Sequence, residues 1–136
     1  MTDKELISLA KKAAENAYVP YSGYTVGAAL IGKSGKVYLG CNIENAAYGP
    51  TNCAERTAFF KAISEGERDF SMIAVVGGKS LDFKDYFTPC GVCRQVMREF
   101  CDESFRVIIG KNGDEYLDLT LGELLPHGFS PNDIER

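Results

Sequence analysis

Thr25 to Ile31 is apolar on both of its alternations, with Val26, Ala28 and Leu30 pointing one way and Gly27, Ala29 and Ile31 the other. Successive strand side chains face opposite sides of a sheet, so a strand apolar on both sides has to be covered on both. Ser71 to Val76 continues the theme as an unbroken apolar run. A sheet with two covered faces needs helices above and below, and the remaining segments supply them. Thr2-x-x-Glu5 is a capping box, after which Leu6, Ala10, Ala13, Ala14 and Ala17 share one helical stripe that Pro20 ends. Ala54, Ala58 and Ala62 recur every four residues beside Phe59 and Ile63, up to Gly66, and Val92, Val96, Met97 and Phe100 mark a third amphipathic helix. Gly32-Lys33-Ser34-Gly35 reads as a tight turn into an antiparallel partner, Lys36 to Leu39. Phe105 to Ile109 and Tyr116 to Leu119 add two strands, Thr120-x-x-Glu123 opens a short helix, and Ser130-Pro131 caps a last turn. The alternation predicts an α/β fold, a three-layer α/β/α sandwich on a mixed five-stranded sheet, as one domain over residues 1–136.

Charge narrows the partners. Fifteen Lys and Arg stand against nineteen Asp and Glu, a net charge of −4, and the basic residues are scattered. Gripping a nucleic-acid backbone requires several clustered cations, so a polyanionic partner is not expected. The longest apolar runs fall far short of the ~20 residues that a membrane span needs. Acidic residues near the N-terminus occupy the place where a secretory signal carries positive charge, and a cytoplasmic location is expected. Five cysteines in a reducing compartment point to metal binding or catalysis before disulfides.

Cys53 and Glu55 fall at the start of the second helix and Cys90 and Cys93 at the start of the third. Unpaired N–H groups and the positive end of the helix dipole stabilise thiolates there. Zinc is the ion expected for three sulfurs, with the fourth tetrahedral position left for water, as in a catalytic site. Glu55 lies about 200° round an ideal helix from Cys53. In a first turn, where side chains lean back toward the N-terminus, it could still reach that fourth position as a proton carrier. Two other readings exist for these cysteines. Cys90-Gly91-Val92-Cys93 alone also suits a thiol-disulfide oxidoreductase, which would have no use for Cys53 or Glu55. A structural zinc module would close the tetrahedron with Cys41, Cys101 or His127, the only histidine. Arg94 and Arg98 read most simply as a solvated or interface stripe on the third helix.

Cys53-Ala54-Glu55 with Pro89-Cys90-x-x-Cys93 resembles the zinc deaminase signature in its three-cysteine form. Tyr21-Ser22-x-Tyr24-x-Val26-Gly27-Ala28, Gly40-Cys41-Asn42-Ile43-Glu44-Asn45-Ala46 and Cys90-Gly91-Val92-Cys93-Arg94-Gln95 are similar to the small, homotetrameric branch of the cytidine deaminases, over Tyr18 to Pro126. The resemblance implies hydrolytic deamination of cytidine and deoxycytidine, with one Zn2+ per subunit on Cys53, Cys90 and Cys93 and Glu55 as the catalytic acid-base. It further implies Asn42 and Glu44 on the ribose hydroxyls, Ala54 and Tyr24 against the substrate, Phe129 reaching a neighbour's site in a homotetramer, and a role in pyrimidine salvage. Tyr24 departs from the Phe usual in the family. Another nucleoside-like aminoheterocycle is the alternative substrate. Zinc with three thiolates sums to −1, which opposes deprotonation of bound water, and Arg56 is the residue expected to compensate by hydrogen-bonding ligand sulfur.

Overall fold

The structure, a computed structural model, describes residues 1–134. Its helices are α1 (Asp3–Ala14), α2 (Ala54–Ser64), α3 (Gly91–Phe100) and α4 (Leu121–Leu124), and its strands β1 (Tyr24–Gly32), β2 (Val37–Cys41), β3 (Phe70–Lys79), β4 (Arg106–Gly110) and β5 (Tyr116–Thr120). The strands form one sheet in the order β2-β1-β3-β4-β5. Only the β3–β4 pair is parallel, which makes the sheet mixed. The two alternations of β1 go to two cores. Val26, Ala28 and Leu30 pack with α2 and α3 through Ala58, Phe59, Ala62, Cys93 and Met97, whereas Ala29 lies under α1 with Leu6, Ala10 and Ala14. That is the expected three-layer sandwich.

Both capping boxes form, Thr2 with Glu5 and Thr120 with Glu123, and a third joins Ser130 to Asp133 ahead of a single 3-10 turn. Helix α1 ends at Ala14 rather than running to Pro20, so Ala17 lies outside it. The reason is tertiary: the Tyr18 N–H donates to the Asn42 carbonyl at 3.0 Å and its carbonyl accepts from the Glu44 N–H at 2.8 Å. This extended pairing prevents continuation of the helix and pins the loop after β2. Strand β3 also outruns its apolar stretch, because Gly77, Gly78 and Lys79 pair with Val26, Thr25 and Tyr24.

Helix α2 sits very close to β2. A Cβ on Gly40 would lie 2.4 Å from the Ala54 carbonyl oxygen and 2.6 Å from the Ala58 nitrogen, so only glycine permits this approach. The contact sets the first turn of α2 against the strand end that leads into Asn42 and Glu44. Among the described residues, no helix is long and apolar enough to cross a membrane.

Candidate active site

Two helix starts build the site. Cys53 is the N-cap of α2 and Cys90 the N-cap of α3, both with extended backbone and neither side chain capping its own helix. A Ser or Asp there would be occupied by the helix's free N–H groups, whereas the sulfurs remain available. Cys93, one turn into α3, is buried, and the three Sγ atoms lie within 4.8 Å of one another. Zinc–sulfur bonds of about 2.3 Å in a tetrahedron separate sulfurs by roughly 3.8 Å. Cys53 and Cys90 Sγ are 3.7 Å apart, so the donor set fits the ion in chemistry and in spacing.

Electrostatics favour a thiolate here. Hydrogen bonding with the Cys93 thiol holds Cys53 well below the usual thiol range, with Arg56 and Cys90 acting in the same direction against burial. The Cys93 thiol is pushed up in turn by that hydrogen bond to Cys53 and by burial. Arg56 Nη2 donates to Cys53 Sγ at 3.1 Å. Arg56 is thus in contact with the sulfur cluster, where its charge opposes the negative sum. Cys41 and Cys101 are half-buried and stand outside the cluster, and His127 is exposed. None of the three closes the tetrahedron among the described residues, which removes the basis for a structural zinc module.

Glu55 is 1% exposed and both its carboxylate oxygens are buried without a hydrogen-bond partner. Burial pushes its carboxyl up to about 7, and the backbone N–H at the helix start and the Arg56 charge pull the other way without reversing the shift. An orphaned carboxylate is expensive to bury, so its presence marks a group kept for work other than folding.

The carboxylate forms one wall of a cavity of about 190 Å³ lined also by Tyr24, Asn42, Glu44, Cys53, Ala54 and Phe87. A larger cleft of about 450 Å³ lies around Phe100 and Arg106, but it lacks the orphaned acid and the sulfur cluster. Tyr24, 37% exposed, tilts against Phe87 with ring centroids 5.7 Å apart. Phe129 is 57% exposed, with its carbonyl accepting from Gln95 Nε2 at 2.9 Å. It is no core aromatic, and it is absent from the cavity wall within one chain.

Two features escape the sequence reading. Phe87 lies in an irregular loop that gives no periodic signal, and its ring is seated on Gly77, where a Cβ would stand 2.6 Å from Phe87 Cγ. Arg94 is not on a solvated stripe. It is half-buried, with Nε donating to the Pro89 carbonyl and Nη1 to the Leu124 carbonyl, both at 2.7 Å, and so ties the Cys90 loop to α4. Arg98 likewise is half-buried and bonds the Cys101 carbonyl at 3.0 Å.

A helix-sandwiched mixed sheet that groups three sulfurs at two helix starts, with Cys53 and a proton-hungry buried acid lining one small cavity, has the form of a zinc hydrolase. Comparison with known proteins makes the class particular. The family described as "Cytidine and deoxycytidylate deaminase zinc-binding region" matches residues 1–110. The cytidine deaminase of Sporosarcina psychrophila is 50% identical over 134 residues, covering 98% of this chain and 96% of that protein. That of Halalkalibacterium halodurans is 52% identical over 134 residues, covering 98% of each. The crystal structure of cytidine deaminase from Burkholderia pseudomallei superposes with a TM-score of 0.87 at 46% identity, covering 95% of this chain and all of that one. The chain belongs to the cytidine and deoxycytidylate deaminase family. Zinc is the metal of that family, and Cys53, Cys90 and Cys93 form a group able to hold it.

Proposed function

We propose that the protein hydrolyses cytidine and deoxycytidine to uridine and deoxyuridine, releasing ammonia. The carrying observation is Glu55, a buried carboxyl without a partner, beside a three-sulfur site that leaves one tetrahedral corner free. Bound zinc supplies Lewis-acid activation of water near neutral pH. Cys53, Cys90 and Cys93 hold the ion, and Arg56 with the N-termini of α2 and α3 offsets the surplus negative charge.

Glu55 accepts a proton from the water that adds to C4 of the pyrimidine and delivers it to N3. It then carries the second proton to the departing amine, leaving C4 as a carbonyl. A carboxyl whose hold on a proton is strengthened by burial can both take up a proton and hand it on, which suits one group to both steps. Tyr24 and Phe87 offer aromatic surface to the base, the Ala54 backbone contacts it from the helix start, and Asn42 and Glu44 bind the sugar. A carboxylate at the sugar end repels phosphate, favouring a free nucleoside over a nucleotide.

The enzyme acts as a homotetramer in which Phe129 of one subunit reaches a neighbour's cavity, in the cytoplasm, within pyrimidine salvage. Support for assembly comes from exposed apolar side chains, including Tyr48 at 73%, Val92 at 58%, Phe129 at 57% and Tyr18 at 56%. The test is metal content per chain together with loss of the cytidine ultraviolet band. One zinc per chain and conversion to uridine are expected, and a metal-loaded protein inert toward cytidine defeats the reading.

A further inference from the structure

Glu44 is already heavily engaged by its own fold. Its Oε1 accepts from the backbone N–H groups of Tyr21 at 3.0 Å and Ser22 at 3.2 Å, and its Oε2 accepts from the Ser22 hydroxyl at 2.5 Å. An ionised carboxylate offers about four acceptor positions, so roughly one remains, on Oε2, for a sugar hydroxyl. Asn42 is similarly committed: Oδ1 accepts from the Val26 N–H at 3.0 Å and Nδ2 donates to the Tyr24 carbonyl at 2.8 Å.

These contacts converge on a single turn. The Ser22 oxygen, while donating to Glu44, also accepts from the Tyr24 N–H at 3.0 Å. Gly23, between them, has φ +71, which bends the chain so that one hydroxyl can meet both groups. Tyr24 is therefore gripped through its N–H by Ser22 and through its carbonyl by Asn42. Asn42 is thus anchored to the Tyr24 main chain directly, and Glu44 through the Ser22 hydroxyl.

We propose that Ser22 is a positioning residue, whose hydroxyl fixes Glu44 relative to Tyr24 and thereby sets the distance at which a sugar hydroxyl and a pyrimidine are recognised together. The inference rests on the cytidine deaminase reading and adds a specificity element to it. A serine hydroxyl has one proton to give and lone pairs to receive, so it can serve the carboxylate and the amide together, and alanine can serve neither. Hydrogen bonding from the Ser22 hydroxyl, ahead of the backbone N–H groups and against slight burial, also holds the Glu44 carboxyl below the usual carboxylate range.

The test pairs two variants, Ser22→Ala and Ser22→Thr, with two substrates, cytidine and 2′,3′-dideoxycytidine, in the zinc-loaded enzyme. Losing a hydrogen bond to a charged group predicts a KM for cytidine raised about tenfold in Ser22→Ala, with kcat affected less. Dideoxycytidine offers no hydroxyl at those positions, so its kcat/KM should fall by no more than about twofold. Ser22→Thr keeps the hydroxyl and should restore most of the cytidine KM. Metal content per chain separates misfolding from mispositioning, because the three cysteines lie on other segments. Equal losses with the two substrates, or a threonine variant no better than alanine at full zinc content, overturn the proposal. Wild-type enzyme inert toward cytidine defeats the underlying reading and the proposal with it.

Discussion

Asp3 accepts from Arg106 Nη2 at 2.7 Å and from the Tyr116 hydroxyl at 3.0 Å, and Arg106 reaches Asp118 at 2.8 Å as well. At the start of α2, by contrast, Glu55 is almost fully buried and neither of its oxygens has a partner. The first cluster ties α1 to β4 and β5, with each charge answered by an opposite charge or a hydroxyl. The second leaves an acid stranded beside three sulfurs that hydrogen-bond chiefly with one another and with Arg56. Folding alone selects the first kind of arrangement, because an unanswered buried charge works against it. On the proposed function the missing partners of the second are a metal and a substrate, and the contrast then separates charges that hold the fold from charges kept for the reaction.

The sharpest way to break this contrast is Glu55→Gln. If Glu55 moves protons in the reaction, its loss should lower kcat by ~10² to 10⁴ while zinc per chain stays unchanged. Steady-state rates beside metal analysis give the answer, and near-normal turnover would remove Glu55 from its role.

The second prediction concerns stability, where the same residue should act in the opposite sense. Burial raises the carboxyl from 4.5 to about 7, so the folded state holds its proton more tightly than the unfolded chain does. The corresponding stability is fully present below about pH 4.5 and is lost as pH rises through about 7, amounting to about 3 kcal/mol across that window. Chelated, metal-free protein should show this decline in denaturant titrations at stepped pH. Glu55→Gln should lack it, and a wild-type slope in the variant would show that Glu55 finds a partner in the metal-free fold.

Arg56→Gln sharpens the view that one cation offsets the sulfur charge. Without the guanidinium at 3.1 Å from Cys53 Sγ, the acid limb of the pH–rate profile should move to higher pH by roughly one unit. An unmoved profile would assign compensation to the helix N-termini alone. The smallest effect belongs to the satisfied cluster. Arg106→Ala should destabilise the protein by roughly 1 kcal/mol at neutral pH, a figure kept small because the Arg106 side chain is 38% exposed. The Arg106 hydrogen bonds hold Asp3 below its ordinary value of 3.8, with burial opposing them. This contribution is present above that value and fades as pH falls further, so variant and wild type should converge in strong acid. Activity of the folded variant should be unchanged.

Most of the layer structure could be read directly from residue patterns. Strand β1 declared two buried faces, the alanine stripe of α2 declared a close approach, and Thr2-Glu5 and Thr120-Glu123 marked helix starts by a local mechanism. The sulfur cluster was legible for the same reason, since a cysteine at a helix start has a calculable position and charge environment. Patterns of short range say nothing about partners brought from afar. Hence local pattern misses the end of α1, because Tyr18 pairs with the loop after β2, and within a reading of Arg94 as part of a solvated or interface stripe it gives no hint of acceptors on Pro89 and Leu124. Phe87 was missed because its loop has no period. The turn that locks Glu44 was also invisible, because its geometry depends on contacts more than 20 residues apart in sequence.

Zinc K-edge absorption on the purified holoprotein addresses the central claim most directly. The account predicts three sulfur scatterers near ~2.3 Å and a single light atom at ~2.0 Å, with one zinc per chain. Four sulfurs, or fully folded protein as isolated that carries no zinc, would contradict it.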